Sequence, residues 1–337
     1  MFLVTGATGF LGSHLVCHLL QAGYEVKAMK RATSRMDEFG YVSSLYTNKS
    51  PQLLDKLQWT IADLNDIYAI EEALVGVNKV FHTAALVSFH SKDAKKLMAT
   101  NQKGTANLVD ICLQVGIKYF FHVSSNAAIG STIWGELADE KTEWKFNKKT
   151  SQYSVSKYLA EMEVWRSAEE GLKICIINPS IILGPGIWKR GTCRLFYNVY
   201  KNFPFYSVGS SAFVDVNDVC RAILFLHNSG ITDQRYLLHG HNLSFKELFT
   251  KMAIAMNKRV PFIKITENSV GLAWRFFKLL EWITGKRGMI TKESAQSSVK
   301  RQMYSSQKLM DLGFEITSID DTIRETSAQL MLYYNRN

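Results

Sequence analysis

The sequence predicts a doubly wound parallel α/β sheet followed by a small, mostly helical region at the C-terminal end. Three observations support this expectation. An apolar strand at residues 1–5 leads directly into a glycine-rich turn and a helix. Strands and helical segments then alternate up to about residue 183, which is typical of a parallel sheet covered on both faces. Beyond about residue 184 this alternation fades.

The turn after the first strand carries three glycines at intervals of three residues. Such a turn lets the backbone approach a pyrophosphate, and the next helix offers free N–H groups and the positive end of its dipole. Glycines alone would also suit an ordinary turn, but their place between a strand and a helix predicts a dinucleotide site. The cofactor-binding residues expected there are Gly6, Thr8, Gly9, Phe10, Leu11 and Gly12.

The second strand, residues 24–29, ends at Lys30 and Arg31. An acidic side chain usually holds the ribose 2′-hydroxyl of NAD at this place, whereas a nearby arginine accommodates the 2′-phosphate of NADP. The acid is missing here, so the sequence favours NADP(H) over NAD(H). The alternative is that both side chains merely face water.

The third and fourth strands end in further residues expected to contact the cofactor. Asp63 and Leu64 close the third strand, residues 57–62, where an adenine edge would lie, although Asp63 could serve only as a turn residue. The fourth strand, residues 79–82, is followed by small residues that allow close approach to the backbone. These residues are Thr83, Ala84 and Ala85.

Other polar residues are expected to have structural roles. Asp66 is a good N-cap for the helix after the third strand. His82 lies within the fourth strand, so we expect a hydrogen-bonded core histidine rather than a catalytic one. Ser244 and Glu247 have the spacing of a capping box, which predicts a helix start.

Tyr153 and Lys157 are the residues expected to carry chemistry. Their spacing of four puts both on one face of the helix predicted from Ser151 to about Glu170. An ammonium about 5 Å from a phenol, in an effective dielectric of about 20, favours the phenolate by about 3 kcal/mol. We therefore expect the pKa of Tyr153 to be lowered by roughly two units, into the range useful for acid–base catalysis. Ser125, at the end of the fifth strand, could hold a substrate oxygen.

Composition excludes some classes of protein and leaves others open. The chain of 337 residues has a net charge of +10, but its basic residues are dispersed, and we expect no nucleic-acid partner. No apolar run reaches the length of a membrane span. The apolar segment 272–283 is expected to pack in the core or a pocket, with membrane contact as the alternative. Five scattered cysteines without metal-type spacing predict reduced, buried thiols in a cytoplasmic protein and no metal site. No signal peptide is expected, because the first apolar residues form the opening strand.

Taken together, these motifs resemble the extended short-chain dehydrogenase/reductases of the NAD-dependent epimerase/dehydratase superfamily. The resemblance covers nearly the whole chain. It includes the glycine turn, residues 63–64, 82–85, Asn101, 124–125, 153–157, 179–186 and 213–219.

This resemblance implies a seven-stranded Rossmann sheet with a small C-terminal substrate region. It implies that Tyr153 is the acid/base and that Ser125 orients the substrate. It also implies that Lys157 contacts both the nicotinamide ribose and the Tyr153 phenol. Ser124 is the alternative serine. Asn101, Pro179 and Ile182 are further expected cofactor contacts, and a homodimer built on the helix of Tyr153 is common in the family.

Within the superfamily, the sequence looks more like the dihydroflavonol-4-reductase and 3β-hydroxysteroid dehydrogenase branch. Members acting on nucleotide sugars usually have an asparagine where this chain has Ile181 and an arginine where it has Ser211. Residues 179–186 and the Leu312-Gly313 stretch also resemble that branch. Asn178 departs from it, because an arginine is usual before the proline.

We therefore predict an NADP(H)-dependent reductase or dehydrogenase acting on a carbonyl/alcohol pair. An apolar pocket would be lined by Phe196, Tyr197, Phe205, Trp274 and Phe277, so a hydrophobic substrate is expected. The alternatives are a sugar-nucleotide epimerase or dehydratase with tightly bound NAD, and a non-catalytic dinucleotide-binding regulator. The dinucleotide-binding domain is expected at 1–183, with 213–240 returning to it, and the substrate region at 184–212 and 241–337.

Overall fold

The protein is described from a computed structural model. The structure describes residues 1–48, 50–130, 132, 136–147, 150–266, 269 and 298–336. The apolar segment predicted at 272–283, with Trp274 and Phe277, lies outside the described residues.

Seven of the described strands form a parallel central sheet in the order β10-β6-β5-β4-β1-β2-β3. The order of strands reverses at the β1–β4 pair, which opens a crevice at their carboxyl ends. The strand bounds are β1 Phe2–Thr5, β2 Val26–Lys30, β3 Leu57–Ile61, β4 Lys79–His82, β5 Tyr119–Val123, β6 Ile174–Pro179 and β10 Gln234–Leu238.

The strands of this sheet are buried because helices cover both faces. Every residue of β1, β5 and β6 is buried. Such strands are continuously apolar rather than alternating, as expected for a doubly wound parallel sheet. One apolar cluster, which includes Val4, Leu15 and Phe121, fills one face. A second, which includes Leu3, Leu108 and Phe120, fills the other.

The helices begin where the sequence predicted caps. The Asp66 carboxylate accepts from the Ala69 N–H at 3.1 Å, and Ser151 accepts from the Ser154 N–H at 3.1 Å. Ser244 and Glu247 form the predicted capping box. The helix bounds are α1 Phe10–Gln21, α2 Asp37–Thr47, α3 Ile67–Leu74, α4 Ala94–Leu97, α5 Gly104–Gln114, α6 Gln152–Glu169, α7 Cys193–Tyr200, α8 Val216–Asn228, α9 Phe245–Ala255, α10 Gln307–Met310 and α11 Ile319–Arg336.

The helical stretch after β4 is interrupted. A π-helical segment, Met98–Lys103, separates α4 from α5. Asn101 lies in this wider turn, and its side chain bonds to the loop after β4. Short π segments are frequent at functional sites, and nothing in the apolar spacing of the sequence marks this one.

The C-terminal part combines helices with two small sheets. The larger sheet has the order β11-β9-β7 and the smaller joins β12 to β8. Chain segment 216–238 returns to the central sheet, since β10 pairs with β6 in parallel register. The bounds are β7 Ile181–Leu183, β8 Phe205–Ser207, β9 Ser210–Asp215, β11 His241–Ser244 and β12 Ile263–Ile265.

All five cysteines are free and buried, as predicted. Across the described part of the chain, we find no helix that combines the length and the apolar character needed to cross a membrane.

Candidate active site

The glycine turn at the end of β1 is packed too tightly for side chains. A Cβ on Gly12 would lie 2.1 Å from the Gly6 carbonyl oxygen, and one on Gly6 would lie 2.7 Å from the Ala84 backbone. Gly6 also has φ +69°, a conformation that favours glycine. Gly9 is the N-cap of α1 and has no side chain to accept from the first-turn N–H groups. These features fit a site that presents backbone donors to a pyrophosphate.

Three of the other predicted residues of this turn lie around the same helix start. Thr8 and Leu11 are half-buried. Phe10 contacts the His14 ring edge-on, with centroids 5.4 Å apart. The His14 Nε2 atom lies 2.9 Å from the Pro185 carbonyl oxygen, so α1 is tied to the turn at 184–186.

The ends of β2 and β3 form a basic and aromatic surface. The Lys30 ammonium lies 5.3 Å from the centre of the Trp59 ring, and Arg31 is exposed. Asp63 accepts from the backbone and side-chain N–H groups of Asn65 at 2.9 and 3.0 Å. Asp63 is therefore a turn residue here, and its contact with a cofactor stays a prediction.

The segment after β4 is held in place by polar bonds. The Thr83 hydroxyl donates to the Thr5 carbonyl oxygen at 2.7 Å, which sets Thr83, Ala84 and Ala85 beside the glycine turn. His82 is a core residue, as expected, with its ring nitrogens 2.7 Å from Thr5 Oγ1 and 2.9 Å from Thr105 Oγ1.

Asn101 joins this segment to the helix that carries Tyr153. Its amide nitrogen donates to the Leu86 carbonyl oxygen at 3.0 Å and to Ser156 Oγ at 2.9 Å, while its oxygen accepts from the Leu86 N–H at 2.7 Å. The side chain thus has an organising role, and its direct contact with a cofactor stays a prediction. Leu64 lies close by, since its carbonyl oxygen accepts from Asn107 at 2.8 Å.

Ser125, Tyr153 and Lys157 come together at the carboxyl ends of β4, β5 and β6. The Ser125 side chain lies near the Tyr153 hydroxyl and lowers the pKa of that phenol. Lys157 follows one helical turn later and is fully buried. The alternative serine, Ser124, has a buried hydroxyl that makes no hydrogen bond within the described residues. The geometry therefore favours Ser125 as the partner of Tyr153.

Our prediction that Lys157 lowers the pKa of Tyr153 is wrong for this structure. Burial raises the pKa of Tyr153, and the nearby Ser125 side chain opposes that rise. The Lys157 ammonium donates to the Val123 carbonyl oxygen at 3.0 Å. Burial lowers the pKa of Lys157 to about 8, against the opposing effect of Glu161. The simple Coulomb argument failed because it neglected the loss of hydration of both groups.

The structure also reveals neighbours of Tyr153 and Lys157 that sequence reasoning missed. The Phe89 ring contacts the Tyr153 ring, with centroids 5.7 Å apart. Glu161 is fully buried one turn beyond Lys157 and pairs with Arg235 at 3.0 Å. The spacing of Lys157 and Glu161 was the available sequence signal, whereas the pairing with a distant strand had none.

Pro179 ends β6 and Ile182 lies in β7. Pro179 is buried and Ile182 is half-buried against the core. Ile181 pairs with Phe213 of β9, and Ser211 is buried in that strand. Nucleotide-sugar enzymes usually carry an asparagine and an arginine at these two positions. This chain has Ile181 and Ser211 there, both in the same small sheet.

One residue expected to line an apolar pocket, Phe196, lies in the core instead, and Trp274 and Phe277 lie outside the described residues. Phe196 is fully buried in a cluster with Leu183 and Phe213, so it is a core residue. Tyr197 is half-buried against the same cluster, and Phe205 packs on Phe203. Helical spacing in α7 could not distinguish a core face from a pocket face.

Comparison with known proteins gives consistent results. The model of the NAD dependent epimerase/dehydratase family matches residues 2–238. A putative dihydroflavonol 4-reductase of Synechocystis sp. is 30% identical over 338 residues, which cover 96% of this chain and 92% of the relative. A 3-beta-hydroxysteroid dehydrogenase of Mycolicibacterium neoaurum is 25% identical over 361 residues, 98% of this chain and 90% of the relative. The crystal structure of gox2253 superposes with a TM-score of 0.81 at 28% identity, over 99% of this chain and 98% of that one.

Proposed function

Because this chain belongs to the NAD dependent epimerase/dehydratase family, we propose that it interconverts a hydrophobic carbonyl compound and its alcohol. The chain is an NAD(P)-dependent oxidoreductase of the extended short-chain dehydrogenase/reductase type, and its cofactor is a nicotinamide dinucleotide. The observation that carries the proposal is the placement of Ser125 beside the Tyr153 phenol, with Lys157 one helical turn beyond, at the carboxyl ends of the strands.

In this proposal Tyr153 is the acid/base and Ser125 orients the substrate. When bound, the nicotinamide supplies or accepts the hydride. In the direction of reduction, the Tyr153 hydroxyl donates its proton to the carbonyl oxygen, while the Ser125 hydroxyl holds that oxygen by a hydrogen bond. Burial raises the pKa of Tyr153, so its phenol is protonated at neutral pH, as the proton donor in the reduction must be.

Lys157 is proposed to act as a cation close to the phenol. Burial lowers its pKa to about 8, so its ammonium form still predominates at neutral pH. The Val123 carbonyl oxygen fixes the ammonium at 3.0 Å. The resemblance to the family implies that the same ammonium also contacts the nicotinamide ribose.

The substrate is proposed to be apolar. The named activities of the relatives in Synechocystis and Mycolicibacterium concern dihydroflavonols and 3-beta-hydroxysteroids. The Phe89 ring beside Tyr153 supports this proposal, since an aromatic ring next to the acid/base favours an apolar substrate. Ile181 and Ser211 stand where nucleotide-sugar enzymes usually carry polar contacts to the diphosphate.

Turnover with a panel of hydrophobic ketones and nucleotide sugars tests this function. We expect oxidation of NADPH that depends on a ketone. Conversion of a nucleotide sugar with no net consumption of added NADPH would instead support the epimerase or dehydratase alternative. No turnover across the panel, together with a protein partner recovered by affinity purification, would support a dinucleotide-binding regulator.

NADP(H) is proposed as the preferred cofactor because Lys30 and Arg31 follow β2. The exposed Arg31 guanidinium can bind a 2′-phosphate in bidentate geometry. We expect Arg31→Ala to weaken NADPH binding about tenfold or more in calorimetric titration, while NADH binding stays nearly unchanged. Lys27→Ala, in the same strand, is the matched control. Equal losses for both dinucleotides in the Arg31 variant would contradict this assignment.

Two further properties belong to the proposal. A homodimer across α6 is expected, and sedimentation equilibrium would contradict it by showing a monomer at micromolar concentration. A cytoplasmic location is supported by the five free, buried thiols, because a reducing compartment keeps cysteines unpaired.

A further inference from the structure

The Asn178 side chain links the end of β6 to the main chain of Ser125 and to Glu161. Its amide nitrogen donates to the Ser125 carbonyl oxygen at 3.0 Å and to Glu161 Oε2 at 2.8 Å. Asn178 is 1% exposed, so water does not compete for these bonds. Since both neighbours are acceptors, both hydrogens of the amide nitrogen are used and the orientation of the amide is fixed.

The Glu161 carboxylate also pairs with Arg235 of β10, the strand at the edge of the central sheet. Arg235 donates to Glu161 Oε1 at 3.0 Å, and the carboxylate has no exposed surface. Arg235 is itself bonded to the Glu140 carbonyl oxygen. The Glu140 side chain accepts from the Leu237 N–H at 2.7 Å. A buried carboxylate is tolerated only when it is paired in this way.

We propose that Glu161 and Asn178 are positioning residues for the catalytic centre. Asn178 holds the Ser125 main chain in place, while Glu161 fixes the Asn178 amide and keeps the Lys157 side chain positively charged. This inference rests on the proposed function, since it assigns the roles of Ser125 and Lys157.

The first part of the inference concerns the orientation of the Ser125 hydroxyl. The Ser125 carbonyl oxygen accepts two bonds, one from Asn178 and one from the Ala128 N–H at 3.0 Å. The latter belongs to a single helical turn, Asn126–Ala128, which starts at Ser125. Asn178 therefore anchors this turn to the sheet. Without the anchor the hydroxyl would lose its alignment with Tyr153, and small misplacements of reacting groups lower the rate strongly.

The second part concerns the charge of Lys157. Among the described residues, the titratable groups around it are Tyr153 and Glu161 on its own helix, His82 on β4 and His122 on β5. Burial lowers the pKa of His82 to about 3 and that of His122 far below its usual value, so both are neutral in the working range. The Glu161 carboxylate is thus the group in this set that favours the ammonium form of Lys157.

The test compares three variants of the full-length protein with the wild type in steady-state kinetics over a range of pH. The dinucleotide and the ketone are those that the wild type turns over.

Asn178→Ala removes the anchor and leaves the Glu161–Arg235 pair. The double variant Glu161→Gln with Arg235→Met removes the carboxylate and its cation together, so that no unpaired charge is left inside the fold. The amide oxygen of the new glutamine can still accept the hydrogen bond from Asn178. Ser167→Ala is the control, because Ser167 is equally buried on α6 and bonds only to the Val164 carbonyl oxygen of its own helix.

For Asn178→Ala, we expect kcat to fall about tenfold or more while the KM for the dinucleotide changes by less than about twofold. The Ser167→Ala control should retain kcat. A kcat for Asn178→Ala within about fivefold of the wild type would overturn the anchoring role.

For the double variant, we expect the high-pH limb of the kcat profile to move to lower pH by about half a unit or more. The sign follows because loss of the carboxylate lowers the pKa of Lys157, so its ammonium is lost at a lower pH. An unchanged limb in a folded double variant would overturn the electrostatic role.

Failure of the proposed function is distinguishable from failure of this inference. Tyr153→Phe with normal turnover would refute the assignment of the acid/base. A wild type that is active and inactivated by Tyr153→Phe, but unaffected by the variants at 161 and 178, would refute this inference alone.

Discussion

At the scale of single residues, the candidate dinucleotide site depends on glycines, because a side chain at these positions would collide with the backbone. Gly12 lies within α1, yet a Cβ there would meet the Gly6 carbonyl oxygen at 2.1 Å. No rotation of a side chain relieves such a contact, because the backbone fixes the position of the Cβ and its partner is a backbone atom. The turn would have to move, and with it the N–H groups that we expect to face the pyrophosphate.

We therefore expect Gly12→Ala to weaken NADPH binding by about tenfold or more and to lower the free energy of unfolding by about 2 kcal/mol. Calorimetric titration and urea unfolding measure the two effects. Gly40→Ala is the matched control, since Gly40 is exposed in α2 and an added Cβ would meet no atom within 4 Å. It should stabilise the protein by about 0.5–1 kcal/mol. Normal cofactor binding by Gly12→Ala would contradict the role given to the turn.

At the scale of helices and strands, boundaries marked by local chemistry were predictable. The capping box at Ser244 and the N-cap at Asp66 each depend on residues three positions apart, so short-range sequence is enough to locate them. The parallel strands were predictable because burial on both faces makes them continuously apolar.

Features set by distant partners could not be predicted in this way. The π segment Met98–Lys103 forms where Asn101 bonds to the loop after β4. The burial of Phe196 depends on packing against Phe213 and the C-terminal helices. The pKa of Tyr153 depends on how far the whole fold excludes water from the phenol. The spacing of Tyr153 and Lys157 in the sequence carries no information about that burial.

The capping box provides a test at this scale. Ser244 accepts from the Glu247 N–H at 3.1 Å, and Glu247 accepts from the Ser244 N–H at 2.9 Å. We expect Ser244→Ala to lower the free energy of unfolding by about 1 kcal/mol, with kcat unchanged. Ser229→Ala is the control, because Ser229 is exposed at the end of α8 and caps no helix start. Equal stability of the two variants in urea unfolding would show that the cap contributes little.

At the scale of the whole molecule, the net charge of +10 favours an anionic ligand. The predicted 2′-phosphate contacts at Lys30 and Arg31 lie at the surface, where salt screens charges over about 8 Å at physiological ionic strength. The nicotinamide end is expected among buried groups such as Lys157, where screening would be weaker.

Salt should therefore weaken NADPH binding more steeply than NADH binding. The dissociation constants of both dinucleotides, measured by calorimetry across a series of potassium chloride concentrations, give the two slopes. The KM for an uncharged ketone at saturating cofactor is the internal control and should stay nearly constant. Parallel slopes for NADPH and NADH would contradict a surface site for the 2′-phosphate.

The central claim is that the Tyr153 phenol transfers the proton in the reaction. The most direct measurement is the kcat of Tyr153→Phe with a ketone that the wild type reduces, alongside the affinity of the variant for NADPH. We predict a loss of about 100-fold or more in kcat with nearly unchanged NADPH binding, because the variant loses the acid and keeps the nucleotide site. Turnover at the wild-type rate would contradict the claim.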